Sequence, residues 1–397
     1  MESISVYIHI PFCVRKCAYC DFTSFAGAAS RAEEYVQAVC REMRAQAAFF
    51  GRRRVGTVFL GGGTPTLLSG AQIKALLDCL RDSFDVAGDA EITMEGNPGT
   101  LTCENLAQYR AAGVNRLSLG VQSLDDGLLC AIGRIHTAAE AVQAVKMARE
   151  AGFDNLNLDL MLGLPGQTAA QWERTLTQAV RLGPEHLSCY SLIIEEGTPL
   201  CEDVRLGRCA PLPDEDALER MDGITEHLTR EAGFTRYEVS NYARPGRECR
   251  HNIVYWECRP YLGLGCAAHS DMDGYRFYNS ANWAEYMRAV DRAASLGVRE
   301  GHAQAMPFTG AMLSAQEGSG DARERMFERM MMGLRMVRGV DASRFERDFG
   351  LTPEQAWPKS IAQLKAGGML ERAGERLHLT PRGMQVMNGV LVTLLEE

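Results

Sequence analysis

The sequence has no long apolar segment and no excess of positive charge. Its longest apolar run, Gly389–Leu395, is far shorter than the roughly 18 residues that a membrane span requires. Residues 1–12 alternate between polar and apolar side chains, unlike the continuous apolar core of a secretory signal. The 51 Asp and Glu residues outnumber the 42 Lys and Arg residues, only five of which are lysine, and the net charge is −9. We therefore expect a cytoplasmic protein with no membrane span and no nucleic-acid partner.

Disulfide pairing is also not indicated. Thirteen cysteines is an odd number; ten are scattered along the chain, and three lie within eight residues. In a reducing compartment, clustered cysteines bind metal more often than they form disulfides.

Strand-like and helix-like periodicities alternate over the first 240 residues. The predicted strands are 5–10, 56–60, 91–95, 116–122, 155–161, 186–192 and 236–240, and the predicted helices are 30–50, 69–84, 102–112, 137–151, 168–182 and 214–232. Six successive βα units predict a parallel sheet with helical crossovers, either doubly wound or closed towards a barrel.

The strands favour the barrel because they alternate between polar and apolar residues. In strand 155–161, Asn155, Asn157 and Asp159 share one face and leucines share the other. Burying such polar groups without partners costs about 1–3 kcal/mol each. A polar face on four strands therefore indicates a wet or ligand-filled lumen, unless some of these segments are edge strands facing solvent. We predict an α/β fold: a partial (β/α)6 TIM-like barrel.

The regular alternation stops after residue 240. We predict a barrel over 1–240, an aromatic middle segment over 241–302, a linker over 303–322 and a helical, winged-helix-like domain over 323–397. Residues 353–397 carry five acidic and five basic side chains, so a DNA-reading role for this last domain has no electrostatic support.

Three cysteines with CxxxCxxC spacing follow the first predicted strand. Cys13, Cys17 and Cys20 can hold a soft metal as thiolates. A structural zinc site usually needs a fourth ligand, and no second cysteine pair follows at a suitable spacing. Three ligands on a four-iron cluster would leave one iron open. Three unliganded, reduced cysteines are the remaining alternative.

This motif resembles the radical S-adenosylmethionine (SAM) superfamily. The resemblance implies that Cys13, Cys17 and Cys20 hold a [4Fe–4S] cluster whose open iron binds SAM, which the reduced cluster cleaves to a 5′-deoxyadenosyl radical. The cofactor carries this chemistry and the protein positions it. The glycine-rich segment 61–66 follows the second strand and matches a SAM contact of that superfamily. The SAM-binding residues that the resemblance implies are Tyr7, Tyr19, Gly62, Gly63, Thr64, Glu95, Gln122, Arg134 and Asp159.

Longer stretches are similar to the oxygen-independent coproporphyrinogen III oxidase family and its relatives, the HemW haem chaperones. These stretches are YIHIPFC, GGGTPT, GVQS, LGLPGQ and YLGLG. The oxidases carry a fourth cysteine where this chain has Phe22, and they also carry an N-terminal extension before the position of Tyr7.

The segment 251–256 matches the HNxxYW motif of the haem chaperones. The resemblance implies that His251 ligates or anchors haem and that Tyr255 and Trp256 pack against its ring. The alternative for His251 is a packed, hydrogen-bonded side chain.

We therefore expect a haem chaperone that delivers haem to client haemoproteins such as respiratory enzymes, as a monomer or a homodimer. The main rival is an oxidase that converts coproporphyrinogen III to protoporphyrinogen IX. A third alternative is a radical SAM enzyme with an unrelated substrate.

Overall fold

The computed structural model describes residues 3–296, 311–313 and 321–397. Six parallel strands form the centre of the molecule: Ile4–Ile10 (β1), Arg54–Gly62 (β2), Asp85–Gly96 (β3), Arg116–Gln122 (β4), Leu156–Leu162 (β5) and His186–Ser191 (β6). The helices that connect or follow them are Ala32–Phe50, Gly70–Ser83, Cys103–Ala112, Ala138–Glu150, Ala169–Arg181 and Glu215–Glu231. Shorter helices, Asp126–Ala131 and Pro199–Arg205, and three single turns, Ala29–Arg31, Pro65–Leu67 and Pro98–Thr100, lie in the loops.

These strands belong to one twelve-stranded sheet within the described residues, and the sheet stays open. Tyr261–Leu264 pairs in parallel with β1, and His269–Met272, Tyr275–Tyr278 and Ala311–Leu313 extend that edge in antiparallel pairs. Asn241–Ala243 and Thr235–Arg236 extend the other edge beside β6. The prediction of a partial barrel is therefore confirmed.

One predicted strand is wrong. Residues 236–240 do not form a seventh parallel strand; the chain turns there, and its two flanks pair as an antiparallel hairpin. The Glu238 side chain accepts a hydrogen bond from the backbone N–H of Ser240 (3.2 Å), and the Glu238 backbone bridges to Met336. Alternation alone cannot show such a turn.

Local signals in the sequence explain where the helices begin. Ser69, Thr102, Thr137 and Thr168 each cap a crossover helix through a reciprocal capping box, which satisfies two backbone donors that the first turn leaves free. The leucines of β4 and β5 are buried beneath these helices in the main core. The polar faces of the same strands consequently point into the lumen, as the alternation predicted.

A second core belongs to the C-terminal region and is centred on Trp357 and Phe345. Its helices are Ala322–Gly333, Ala342–Phe349, Pro353–Ala356, Pro358–Ala366, Pro381–Gln385 and Met387–Leu395, and its strands are Val340–Asp341, Leu370–Ala373 and Arg376–Leu379. Leu370–Ala373 and Arg376–Leu379 pair as an antiparallel hairpin. Most of the predicted linker 303–322 lies outside the described residues. No described helix is both long enough and apolar enough to cross a membrane.

The helix Arg250–Trp256 lies between the barrel and this second region. It carries the HNxxYW segment.

Candidate functional site

The cysteine loop is fixed at the carboxyl ends of the barrel strands. Phe12–Cys13 pairs with Phe25–Ala26, which closes the loop after β1. The Cys13 sulfur accepts a hydrogen bond from the Thr64 hydroxyl (3.7 Å), and the Cys17 sulfur accepts one from Arg134 Nη1 (3.4 Å). Burial raises the pKa of Cys20. All three cysteines are half-buried, and residues from two other loops hold the sulfurs of Cys13 and Cys17.

A cavity of about 160 Å³ opens beside this loop. It is lined by all three cysteines and by most of the residues predicted to bind SAM: Tyr19, Gly62, Gly63, Thr64, Glu95, Gln122, Arg134 and Asp159. Tyr7 lies elsewhere in the lumen, where its hydroxyl is 3.0 Å from His9 Nδ1 and its ring stacks on Phe59. The structure therefore brings together eight of the nine predicted residues.

Gly62 and Gly63 line the cavity at positions where a side chain would not fit. Gly62 has a φ of +106°, and a Cβ there would lie 2.3 Å from the His9 ring. A Cβ on Gly63 would lie 2.6 Å from the carbonyl oxygen of Phe12. Larger residues at these positions would displace His9 or the backbone of the cysteine loop. The Gly62 N–H also donates to Glu95 Oε2 (3.0 Å).

Two half-buried carboxyl groups, of Glu95 and Asp159, face this cavity. Burial, with a contribution from the nearby Asp159, raises the pKa of Glu95 to about 7, although the Gly62 N–H opposes the rise. Burial also raises the pKa of Asp159, which accepts hydrogen bonds from Asn157 (2.7 Å) and Ser118 (3.1 Å). Such carboxyl groups favour a cationic ligand, because a positive charge would offset the cost of burying their ionised form.

Arg134 supplies positive charge on another side of the cavity. Its Nη2 donates to the Gly120 carbonyl, and its buried Nε has no hydrogen-bond partner among the described residues. Gln122 adopts a positive φ of 64°, unusual for a residue other than glycine, at a bulge that ends β4. Its side-chain oxygen accepts a hydrogen bond from the Tyr190 hydroxyl (2.7 Å).

Sequence reasoning missed Tyr190. His186, Ser188 and Tyr190 alternate along β6 in the same way as the polar residues of the other strands. Extending that pattern to β6 would have placed Tyr190 in the lumen.

The HNxxYW segment lies at the other end of the lumen. His251 is 1% exposed; its Nδ1 is 2.8 Å from the Thr57 hydroxyl, and its Nε2 is 3.0 Å from the Tyr255 hydroxyl. The backbone N–H of His251 donates to Glu91 Oε1 (3.1 Å). Burial lowers the pKa of His251 to about 3, so the ring is neutral.

The three predicted haem contacts have different surroundings. Trp256 lines a cavity next to the C-terminal region, whereas Tyr255 lines a different one and His251 lines neither. Both ring nitrogens of His251 are engaged, so coordination of haem iron would require one of these hydrogen bonds to break. The arrangement in the structure is that of the packed, hydrogen-bonded histidine.

Residues 7–179 match the Radical SAM superfamily model, and residues 321–386 match the HemN C-terminal domain. The chain is 37% identical to the heme chaperone HemW of Escherichia coli, covering 100% of this chain and 99% of that protein. It is 35% identical to the heme chaperone HemW of Bacillus subtilis, covering 99% of each. It is 33% identical to the mitochondrial radical S-adenosyl methionine domain-containing protein 1 of Bos taurus, covering 99% of this chain and 88% of that one.

A solved structure of the coproporphyrinogen III oxidase HemN from Escherichia coli matches with a TM-score of 0.79 and 22% identity, over 99% of this chain and 90% of that one. This likeness shows the fold. Together with the cavity beside the cysteine loop, the full-length similarity to the relatives leads to one assignment: the chain belongs to the radical SAM superfamily and, within it, to the HemW heme chaperone family.

Proposed function

We propose that this protein is a haem chaperone that binds haem and delivers it to client haemoproteins, and that it carries a [4Fe–4S] cluster and SAM in the mouth of its barrel. The observation that carries the proposal is the similarity, along the whole chain, to proteins that bear the heme chaperone name in distant bacteria. Membership of the radical SAM superfamily implies both SAM and the cluster.

The cysteine loop suits a cluster better than a single ion. Within the described part of the chain, no three His, Cys, Asp or Glu side chains are close enough to hold one metal ion. A four-iron cluster takes one thiolate per iron, so its ligands stand farther apart. In our proposal Cys13, Cys17 and Cys20 each bind one iron, and the fourth iron stays open for SAM.

The cavity next to the loop has the charges that SAM needs. SAM carries an ammonium group, a sulfonium group and a carboxylate. Glu95 and Asp159 would face the positive groups, while Arg134, with an unpartnered buried Nε, would serve the carboxylate. Gly62 and Gly63 line the cavity, where they would lie against the amino-acid end of SAM. Thr64, Gln122, Tyr19 and Tyr7 complete the proposed set. The bound cofactor supplies radical chemistry, and these residues orient it.

Phe22 argues against the oxidase alternative. It lines the edge of the cavity and is 62% exposed, at the position where the resemblance puts a fourth cysteine in the oxidases. A phenylalanine cannot replace a thiol as a ligand, a proton donor or an electron donor.

The same proposal extends to location and partners. All thirteen cysteines are free, which suits a reducing compartment such as the cytoplasm. The client haemoproteins would include respiratory enzymes. The loaded protein would form a homodimer, which analytical ultracentrifugation would detect.

Two assays on one anaerobic preparation test the function. The protein is reconstituted with iron and sulfide, and haem is titrated in while the Soret band is followed. An aliquot is incubated with coproporphyrinogen III, SAM and dithionite. We expect stoichiometric haem binding, transfer of that haem to an apo-haemoprotein, and no decarboxylated product. Repeated turnover to protoporphyrinogen IX would establish the oxidase instead.

A further inference from the structure

A second cavity, of about 390 Å³, lies between the helix Arg250–Trp256 and the C-terminal region. We name it the arginine cleft after its five lining arginines: Arg259, Arg329, Arg344, Arg347 and Arg376. Its volume falls within the range of about 300–1,000 Å³ that is common for sites binding small molecules.

More arginines than carboxyl groups line the arginine cleft. Three carboxyl groups line it, from Glu257, Asp341 and Asp348, beside the five arginines. Asp348 is shared by two of the arginines, at 3.0 and 3.6 Å, and Asp341 pairs with another at 3.2 Å. Arg347 is exposed and has no carboxylate partner among the described residues.

The wall of the cleft also offers a flat aromatic surface. Trp256 lines it, and its buried Nε1–H has no hydrogen-bond partner among the described residues. The Arg335 guanidinium lies 5.9 Å from the Trp256 ring centroid. A ligand with an extended ring and carboxylates would pack on the indole and pair with Arg347.

We propose that the arginine cleft binds the propionates of haem, with Trp256 against the macrocycle. The inference rests on the proposed function and adds where the haem lies. Haem carries two propionates, and arginine guanidinium groups bind carboxylates through charged hydrogen bonds. The cavity that Tyr255 lines fits less well, because it contains Asp271 and Glu328 against one arginine, Arg276. The cavity at the cysteine loop is assigned to SAM.

Charge reversal of Arg347 tests the inference with little risk to folding, because the side chain is exposed and no ion pair within the described residues is lost. Arg382→Glu is the matched control: Arg382 is an exposed arginine of the same region that does not line the cleft. Each reconstituted full-length protein is titrated with haem and with haem dimethyl ester, which lacks the carboxylate charges. Trp256→Phe, which keeps an aromatic ring without the N–H, is titrated in parallel.

We expect Arg347→Glu to raise the Kd for haem about tenfold and Arg382→Glu to change it less than about twofold. The unsubstituted protein should bind the dimethyl ester more weakly than haem, and Arg347→Glu should not weaken ester binding further. Trp256→Phe should weaken both ligands. The arginine cleft would be overturned if Arg347→Glu and the control bound haem equally well and if the unsubstituted protein bound haem and its ester equally well. The proposed haem chaperone would still stand. If the unsubstituted chain bound no haem, the proposed function would fall with it.

Discussion

Glu95 gives the most specific prediction, because its ionised form should lower the stability of the folded protein and raise its affinity for SAM. Its carboxyl group has an ordinary pKa of 4.5, and burial raises that value to about 7 in the folded protein. The folded state therefore holds the proton more tightly than the unfolded chain. Protonation of Glu95 therefore favours the folded state. Its contribution to the free energy of unfolding is complete below pH 4.5 and is lost as the pH rises to 7. The difference between the two pKa values corresponds to about 3 kcal/mol.

Glu95→Gln removes the titration and keeps an oxygen that can accept from the Gly62 N–H. At pH 8 we expect the free energy of unfolding of the cofactor-free variant to exceed that of the unsubstituted protein by about 3 kcal/mol, and at pH 4 by close to zero. Urea unfolding followed by far-UV circular dichroism at both pH values measures this difference. Glu150→Gln, which removes an exposed carboxyl group, is the matched control.

The same variant should bind SAM poorly. In the unsubstituted protein the ionised Glu95 would attract the cationic ligand, so SAM affinity should rise with pH up to about 7, by at most tenfold for each pH unit. Equilibrium dialysis of labelled SAM with the reconstituted proteins measures the affinity. If Glu95→Gln neither gained stability at pH 8 nor lost the pH dependence of SAM binding, the reasoning from its burial would be refuted.

Three further predictions follow from the same geometry. Cys17→Ala should abolish the cluster, seen as loss of iron and of the broad visible absorption after anaerobic reconstitution; retention of both would exclude Cys17 as a ligand. Gly63→Ala should lower the free energy of unfolding by about 1–3 kcal/mol in urea, because its Cβ would meet backbone atoms, whereas Gly223→Ala, in open space on a helix, should raise it by about 1 kcal/mol. His251→Ala should destabilise the protein by about 2–4 kcal/mol, because it leaves a cavity and two hydroxyls without their partner. The difference in stability between the unsubstituted protein and His251→Ala should shrink as the pH falls below 6.5, since the folded state keeps His251 neutral. A stable His251→Ala protein that had lost only its haem would favour direct ligation.

The parts of the site that sequence patterns predicted are those encoded locally. CxxxCxxC spacing keeps Cys13, Cys17 and Cys20 on one loop in any fold that begins with this strand. Alternation along β3 and β5 put Glu95 and Asp159 on the same side of the sheet, and parallel pairing then brought them to one cavity. Tyr7 lies outside that cavity because it comes before the carboxyl end of β1 and therefore lies deeper in the lumen.

The HNxxYW segment shows where local patterns stop being sufficient. Its spacing places His251 and Tyr255 one helical turn apart, but it does not say what each face of the helix will meet. Packing against the barrel buries His251 beside Thr57, while Trp256 meets the C-terminal region.

The sequence by itself therefore determined the barrel, the cysteine loop and the polar lining, because strand period and motif spacing act over a few residues. Only the tertiary structure decided that the HNxxYW helix buries His251 against the barrel and places Trp256 in the arginine cleft. It also decided that Arg259, Arg347 and Arg376 line this one cleft. Those residues are far apart in sequence. Their meeting depends on how two separately packed cores dock, and no local periodicity carries that information.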